Sequence, residues 1–153
     1  RTGGDGVVIG RGCLGRPWLF RDLVEALNGR PVPPSPTLGE ACDVMHRHAG
    51  LLCGHLGEHI AMRDFRKHAA WYLTGYPVGG ELRRRFGMVS SLAELEDLIA
   101  ETDPATSIVE GGERIRRGHT NGPIRVALPE GYLDHLDDLT VPDDAQVMAL
   151  SGG

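Results

Sequence analysis

The first apolar positions of the chain stand side by side. Val7-Val8-Ile9 is a run of three β-branched residues, the pattern of a short buried strand. It runs into Gly10-Arg11-Gly12-Cys13-Leu14-Gly15, and Pro17 follows at a place suited to a helix's first turn, where a missing N–H costs nothing. From residue 37 the pattern becomes helical. Thr37-Leu38-Gly39-Glu40 reads as a capping box, and Leu38, Ala41, Met45, Ala49, Leu52 and Leu56 keep to one stripe of a 3.6-residue period. That helix is expected to fray around 54–57. A second stripe, Met62, Phe65, Ala69, Tyr72 and Leu73, predicts a helix over 60–74 that Gly75 and Pro77 stop. A short helix is predicted over 80–86. Ser91-Leu92-Ala93-Glu94 is a second capping box, opening a last helix with Leu92, Leu95, Leu98 and Ile99 inward and Asp103-Pro104 at its end.

Residues 10–15 match G-x-G-x-x-G, which after a strand and before a helix can mark a dinucleotide site. That reading needs a second inner strand after the helix. Instead 31–36 holds four prolines in six residues, and proline donates no ladder hydrogen bond. A better match is the last βα unit of a barrel, whose turn commonly holds a phosphate. Glycines let a backbone approach an anion, and the free N–H groups of a helix start favour it. A tight turn with no ligand is the plainer alternative. The predicted fold class is therefore α/β then all-α. The last βα unit of a TIM barrel (1–30) is followed by a proline-rich linker (31–36), a bundle of about four helices (37–103) and an irregular acidic tail (104–153). A lone barrel strand cannot satisfy its own backbone, so a preceding part of the protein is expected.

Charge and composition refine this. The net charge of −5 over 153 residues argues against a uniformly basic nucleic-acid binder. The excess is uneven: residues 1–103 carry 12 basic and 13 acidic side chains, while 104–153 carry 4 and 8. With one aromatic residue, Tyr132, the tail lacks the apolar surface to offset its ordering entropy and is expected to be flexible. Cys13, Cys42 and Cys53, at unmatched spacings, point to reduced thiols and a cytoplasmic location. No apolar run approaches the roughly 20 residues of a membrane span. His55 and His59 near Cys53, and Cys42 with His46, lack the further ligands of a metal site, so none is assigned. Asp137-Asp138 and Asp143-Asp144 read as solvated carboxylates, and no spacing supports a catalytic triad.

Between residues 63 and 85 the balance reverses. Arg63, Arg66, Lys67, Arg83, Arg84 and Arg85 face only Asp64 and Glu81, a local charge of +4 before His68 is counted. Arg63, Arg66 and Lys67 stand three and four apart, so they share a helix face opposite Phe65, Ala69 and Tyr72. Trp71 lies beside that face. Cations neutralise phosphates and an aromatic edge can stack a base, so the cluster is a candidate RNA surface. A solvated helix face is the bland alternative.

These two stretches resemble a known family. Gly4-Asp5-Gly6-Val7-Val8-Ile9-Gly10-Arg11-Gly12, with Gly15-Arg16-Pro17-Trp18-Leu19-Phe20, is similar to the end of the catalytic barrel of tRNA-dihydrouridine synthases. Arg66-Lys67-His68-Ala69-Ala70-Trp71-Tyr72-Leu73, followed by Leu82-Arg83-Arg84, resembles that family's helical tRNA-binding domain. The resemblance spans about residues 2–100, and the tail resembles, more weakly, extensions of actinobacterial members. It implies an FMN enzyme that uses NADPH to reduce the C5–C6 bond of a tRNA uridine. It also implies that Gly10 and Arg11 hold the FMN phosphate and that Arg66, Lys67, His68, Arg83 and Arg84 grip tRNA; Arg63 joins them as a candidate from the charge cluster alone. The family's catalytic cysteine stands on an earlier barrel strand, and Cys13 is not that acid. No catalytic residue is therefore assigned, and the chain alone is expected to be inactive. No membrane and no stable protein partner are expected. Two other readings remain: a non-catalytic helical RNA-binding module, and a phosphate-binding barrel enzyme acting on a small metabolite.

Overall fold

Leu38, Ala41, Met45 and Ala49, the stripe that opens the helical pattern, are all buried. They belong to helix α2 (Leu38–Leu56), which follows α1 (Leu19–Leu27) and precedes α3 (Glu58–Tyr72), α4 (Gly80–Phe86) and α5 (Leu92–Ala100). Single 3-10 turns lie at Arg11–Cys13 and Gly112–Arg114. The structure, a computed structural model, describes residues 5–115 together with Asp134. Residues 5–115 lie in one compact unit.

The helix starts follow from their caps. Thr37 Oγ1 accepts from the Glu40 N–H, and the Glu40 carboxylate accepts from the Thr37 N–H at 2.8 Å, so the capping box forms. At α5 only half of one does. Ser91 Oγ accepts from the Glu94 N–H at 3.1 Å, but the Glu94 carboxylate turns to the N–H and hydroxyl of Ser90. Helix α2 does not fray at 54; it runs to Leu56 and ends at Gly57, whose φ of +78° turns the chain directly into α3. Only glycine adopts that backbone easily. Helix α2 packs on α3 and α5, and α4 bridges α3 and α5. Met62, Phe65, Ala69, Tyr72 and Leu73 are buried, as are Leu95 and Leu98. Tyr76, Phe86 and Val89 close the core from the α3–α4 connection, the end of α4 and the α4–α5 loop.

Three further expectations need correction. The predicted strand is not formed: residues 7–9 have no regular structure, Val8 is 99% exposed, and no strand exists among the described residues. A strand needs a neighbour to satisfy its N–H and C=O groups, and these residues supply none. Pro17 stands just outside α1, one residue before its N-cap Trp18, because the chain first makes the 3-10 turn and then a turn at Gly15. Finally, the start of the expected tail is packed. Gly39 N–H donates to the Pro104 carbonyl, Leu38 N–H to Thr106 and Val109 N–H to Gly75. Gly112 is buried against Gly75, where a Cβ would fall 3.0 Å from the Gly75 Cα. Backbone pairing and two glycines in contact hold this segment, a mechanism that low apolar content does not reveal. The flexibility expected of the rest of the tail falls outside the described residues.

The 31–36 segment contains no helix or strand. Its end is pinned by the Tyr76 hydroxyl, which donates to the Pro36 carbonyl at 2.7 Å. Among the described residues no helix is long and apolar enough to cross a membrane.

Candidate functional site

The glycine-rich turn is seated on the bundle. Gly15 has φ +62°, and a Cβ there would fall 2.2 Å from the Trp71 carbonyl carbon. Trp18 packs on the core with its ring 6.4 Å from that of Tyr72. Two clefts flank the seat.

The first, of about 370 Å³, is polar and includes Arg11, Arg16, Glu113 and Arg114 in its lining. Arg11 and Arg114 are exposed and, among the described residues, pair with no carboxylate. Arg16 donates from Nη1 to the Glu113 carbonyl at 3.3 Å, and its Nη2 stands 3.9 Å from Asp22 Oδ2. Asp22 is buried and is held mainly by Arg21, at 2.8 Å. Gly10 lies at the N-cap of the 3-10 turn, where its carbonyl accepts from the Cys13 thiol. Of the two residues expected at a phosphate, the structure thus puts Arg11 on the cleft and Gly10 immediately before it.

The second cleft, about 350 Å³ and mostly apolar, is bounded by Cys13, Pro17, Arg47, His48, His68 and Tyr72. Its rings form a connected set: His48 and His68 meet edge to face at 4.8 Å, and His68 meets Trp71 likewise at 5.0 Å. Burial, with the neighbouring His48 and Lys67 adding to it, pushes the His68 imidazole down to about 4. His48 is lowered by burial too, and the Tyr72 hydroxyl is pushed up to about 12 by the same cause. His68 is therefore neutral at pH 7. It cannot add charge to an RNA-binding face, though it keeps a donor and an acceptor.

The cations sort into three kinds. Arg63 and Lys67 are exposed on α3 and unpaired among the described residues. Arg66 and Arg83 are tied to the scaffold: Arg66 Nε donates to the Val89 carbonyl at 2.9 Å, and Arg83 Nη2 donates to the Leu73 and Tyr76 carbonyls at 3.1 and 3.0 Å. Both keep their charge while fixing the α3–α4 and α4–α5 connections. Arg84 and Arg85 are matched to carboxylates, Arg84 to Glu81 and Arg85 to Glu101. The Arg84 guanidinium holds Glu81 below the usual carboxylate range. The sequence had no signal for Arg83 capping α3, because its acceptors are backbone carbonyls 7 and 10 residues earlier. Nor did it assign Arg16, although Gly15-Arg16-Pro17 was part of the motif. No group of three or more metal-ligating side chains occurs among the described residues.

Comparison with known proteins identifies the family. The family model for dihydrouridine synthase (Dus) matches residues 1–107. The chain belongs to the dihydrouridine synthase family. It is 51% identical over 152 residues to a probable tRNA-dihydrouridine synthase of Mycobacterium tuberculosis (strain ATCC 25618 / H37Rv), an alignment covering 99% of this chain and 39% of that protein. A probable tRNA-dihydrouridine synthase of Mycobacterium leprae (strain TN) is 51% identical over 154 residues, with the same coverage. tRNA-dihydrouridine synthase B of Pseudomonas putida (strain KT2440) is 40% identical over 85 residues, 56% of this chain and 25% of its own length. No solved structure gives a significant match. This chain spans about 39% of the length of its mycobacterial relatives.

Proposed function

We propose that the chain is the C-terminal portion of a flavin-dependent tRNA-dihydrouridine synthase, in which residues 1–30 close an FMN-binding TIM barrel, 31–36 link, and 37–103 carry tRNA. Family membership and the share of its relatives that it spans support this reading. Two surface features support it as well. Phe20, Val24 and Leu27 form an exposed apolar stripe along α1, and Val7 and Val8 are exposed on a backbone with no strand partner among the described residues. A barrel remainder would cover such a stripe and pair such a strand.

The cofactor's phosphate end suits the polar cleft, where the Nε of Arg16 is buried without a hydrogen-bond partner among the described residues and Arg11 stands exposed. Arg11 would bind it by guanidinium and Gly10 by its N–H. When bound, FMN reduced by NADPH supplies the hydride for the C5–C6 bond of uridine. The chain's own residues position RNA: Arg63 and Lys67 neutralise phosphates, Arg66, Arg83 and Arg84 add positive potential, and neutral His68 donates or accepts a hydrogen bond. The protein works in the cytoplasm, where its substrate is made.

The observation that carries the reading is the pair of unpaired cations, Arg63 and Lys67, on the helix that carries the family's motif. The test is affinity of the chain for unmodified tRNA against salt. Each of Arg63→Ala and Lys67→Ala is expected to flatten the slope of log K against log salt by roughly 0.7–0.9. Unchanged slopes would remove α3 from the interface.

A further inference from the structure

We propose that Arg16 and Arg114 complete, with Arg11, a pocket for a dianionic phosphomonoester, so that the segment after the bundle forms one wall of the anion site. The proposal rests on the reading that Arg11 faces a cofactor phosphate, and it adds two residues to that site. One of them, Arg114, lies beyond the matched family region, which ends at residue 107.

Three guanidinium groups from two segments line the same cleft of about 370 Å³: Arg11 and Arg16 from the glycine-rich turn, Arg114 from the last 3-10 turn. Among the described residues the one carboxylate in the lining is Glu113, so their charges sum to +2, which balances a phosphomonoester dianion. Arg16 is already fixed in place. Its Nη1 donates to the Glu113 carbonyl and its Nη2 is near Asp22, but its buried Nε has no hydrogen-bond partner among the described residues. A buried guanidinium N–H left unpaired costs free energy until an acceptor arrives, and phosphate oxygens are the acceptors a guanidinium fork matches best. Position is set by the fold. Val109 N–H donates to Gly75, and Gly112 packs against Gly75, which delivers Glu113 and Arg114 to the turn. The bond from Arg16 to the Glu113 carbonyl joins the two walls.

The experiment titrates the isotopically labelled 153-residue chain with inorganic phosphate at constant ionic strength, reading the Arg16 Nε–H resonance and the amides of Gly12 and Arg114. Phosphate is expected to shift these signals saturably while chloride does not. Arg11→Ala and Arg114→Ala are each expected to weaken the phosphate affinity by about tenfold, as loss of one charge-assisted contact does. Arg114 is exposed, so its variant tests the pocket even where Arg16→Ala disturbs folding. Competition then separates the sources: FMN should displace phosphate and riboflavin should not. Stronger displacement by a short RNA than by FMN would overturn the monoester assignment. Loss of affinity in Arg11→Ala but not in Arg114→Ala would overturn this proposal and leave the cofactor reading of Arg11 intact. No saturable shift of any of these signals would end both.

Discussion

Gly15 lies so close to Trp71 that any side chain there would overlap the peptide backbone of α3, 2.2 Å from the Trp71 carbonyl carbon and 2.4 Å from the Tyr72 nitrogen. This contact couples the glycine-rich turn to the helix bearing the cationic face. Gly15→Ala meets two penalties together, a φ of +62° that side chains disfavour and a clash with backbone that cannot swing away. A loss of about 2 kcal/mol or more is expected in urea unfolding. Gly50→Ala is the control. Gly50 sits inside α2 with nothing within 4 Å of a new Cβ, so it is expected to stabilise by up to about 1 kcal/mol. Equal effects of the two would refute the account of the seat.

Arg83 should act on folding before it acts on RNA. Its removal leaves the Leu73 and Tyr76 carbonyls without the guanidinium that caps them. Arg83→Ala is therefore expected to cost about 1–3 kcal/mol in thermal or urea unfolding, in the absence of any RNA. A variant as stable as the parent, yet weaker for tRNA, would return Arg83 to the interface alone.

What could be read in advance was whatever repeats locally. The stripes of α3 and α5, the α2 stripe from Leu38 to Leu52 and the Thr37–Glu40 box all depend on spacings of three or four residues, and the folded chain keeps them, whereas Leu56 at the end of the α2 stripe is exposed. The same local logic misjudged residues 7–9 as a formed strand, because a strand's existence depends on a partner that its own residues do not specify. Contacts between distant segments were likewise hidden. Nothing in the spelling of Arg16 or Arg83 says which carbonyl will receive it, and the packing of 109–112 on Gly75 depends on glycines rather than on apolar residues. At the candidate site, the residue types of the α3 face were legible as a cluster. Their division into unpaired, anchored and matched cations needed the fold.

That division makes Glu81 a restraint on Arg84. The two form a double hydrogen-bonded pair at 2.7 and 3.1 Å on the exposed side of α4. An exposed pair of this kind contributes little to stability, but it offsets the field that Arg84 presents to a polyanion. Glu81→Gln is expected to leave the unfolding midpoint unchanged, tighten tRNA binding, and steepen its salt dependence. Weaker or unaltered binding would show that Arg84 does not face the RNA.

Acidification should reveal His68. Its folded value lies near 4, depressed first by burial and then by His48 and Lys67, against 6.5 for the free side chain. The unfolded chain therefore binds more protons than the folded one between about pH 6.5 and 4. Stability contributed by this residue is full above pH 6.5, is lost as pH falls through that window, and falls no further once both states are protonated. Partial exposure lets water soften the effect, so the direction and the window are the test. His68→Gln should lose part of this acid sensitivity, with the remainder left to His48, which burial also lowers. At pH 7 the same variant should alter tRNA affinity without changing its salt slope, since a neutral ring releases no counterions. An imidazole midpoint near 6.5 by NMR would refute the acid window, and a flattened slope at pH 7 would show that His68 meets RNA as a cation.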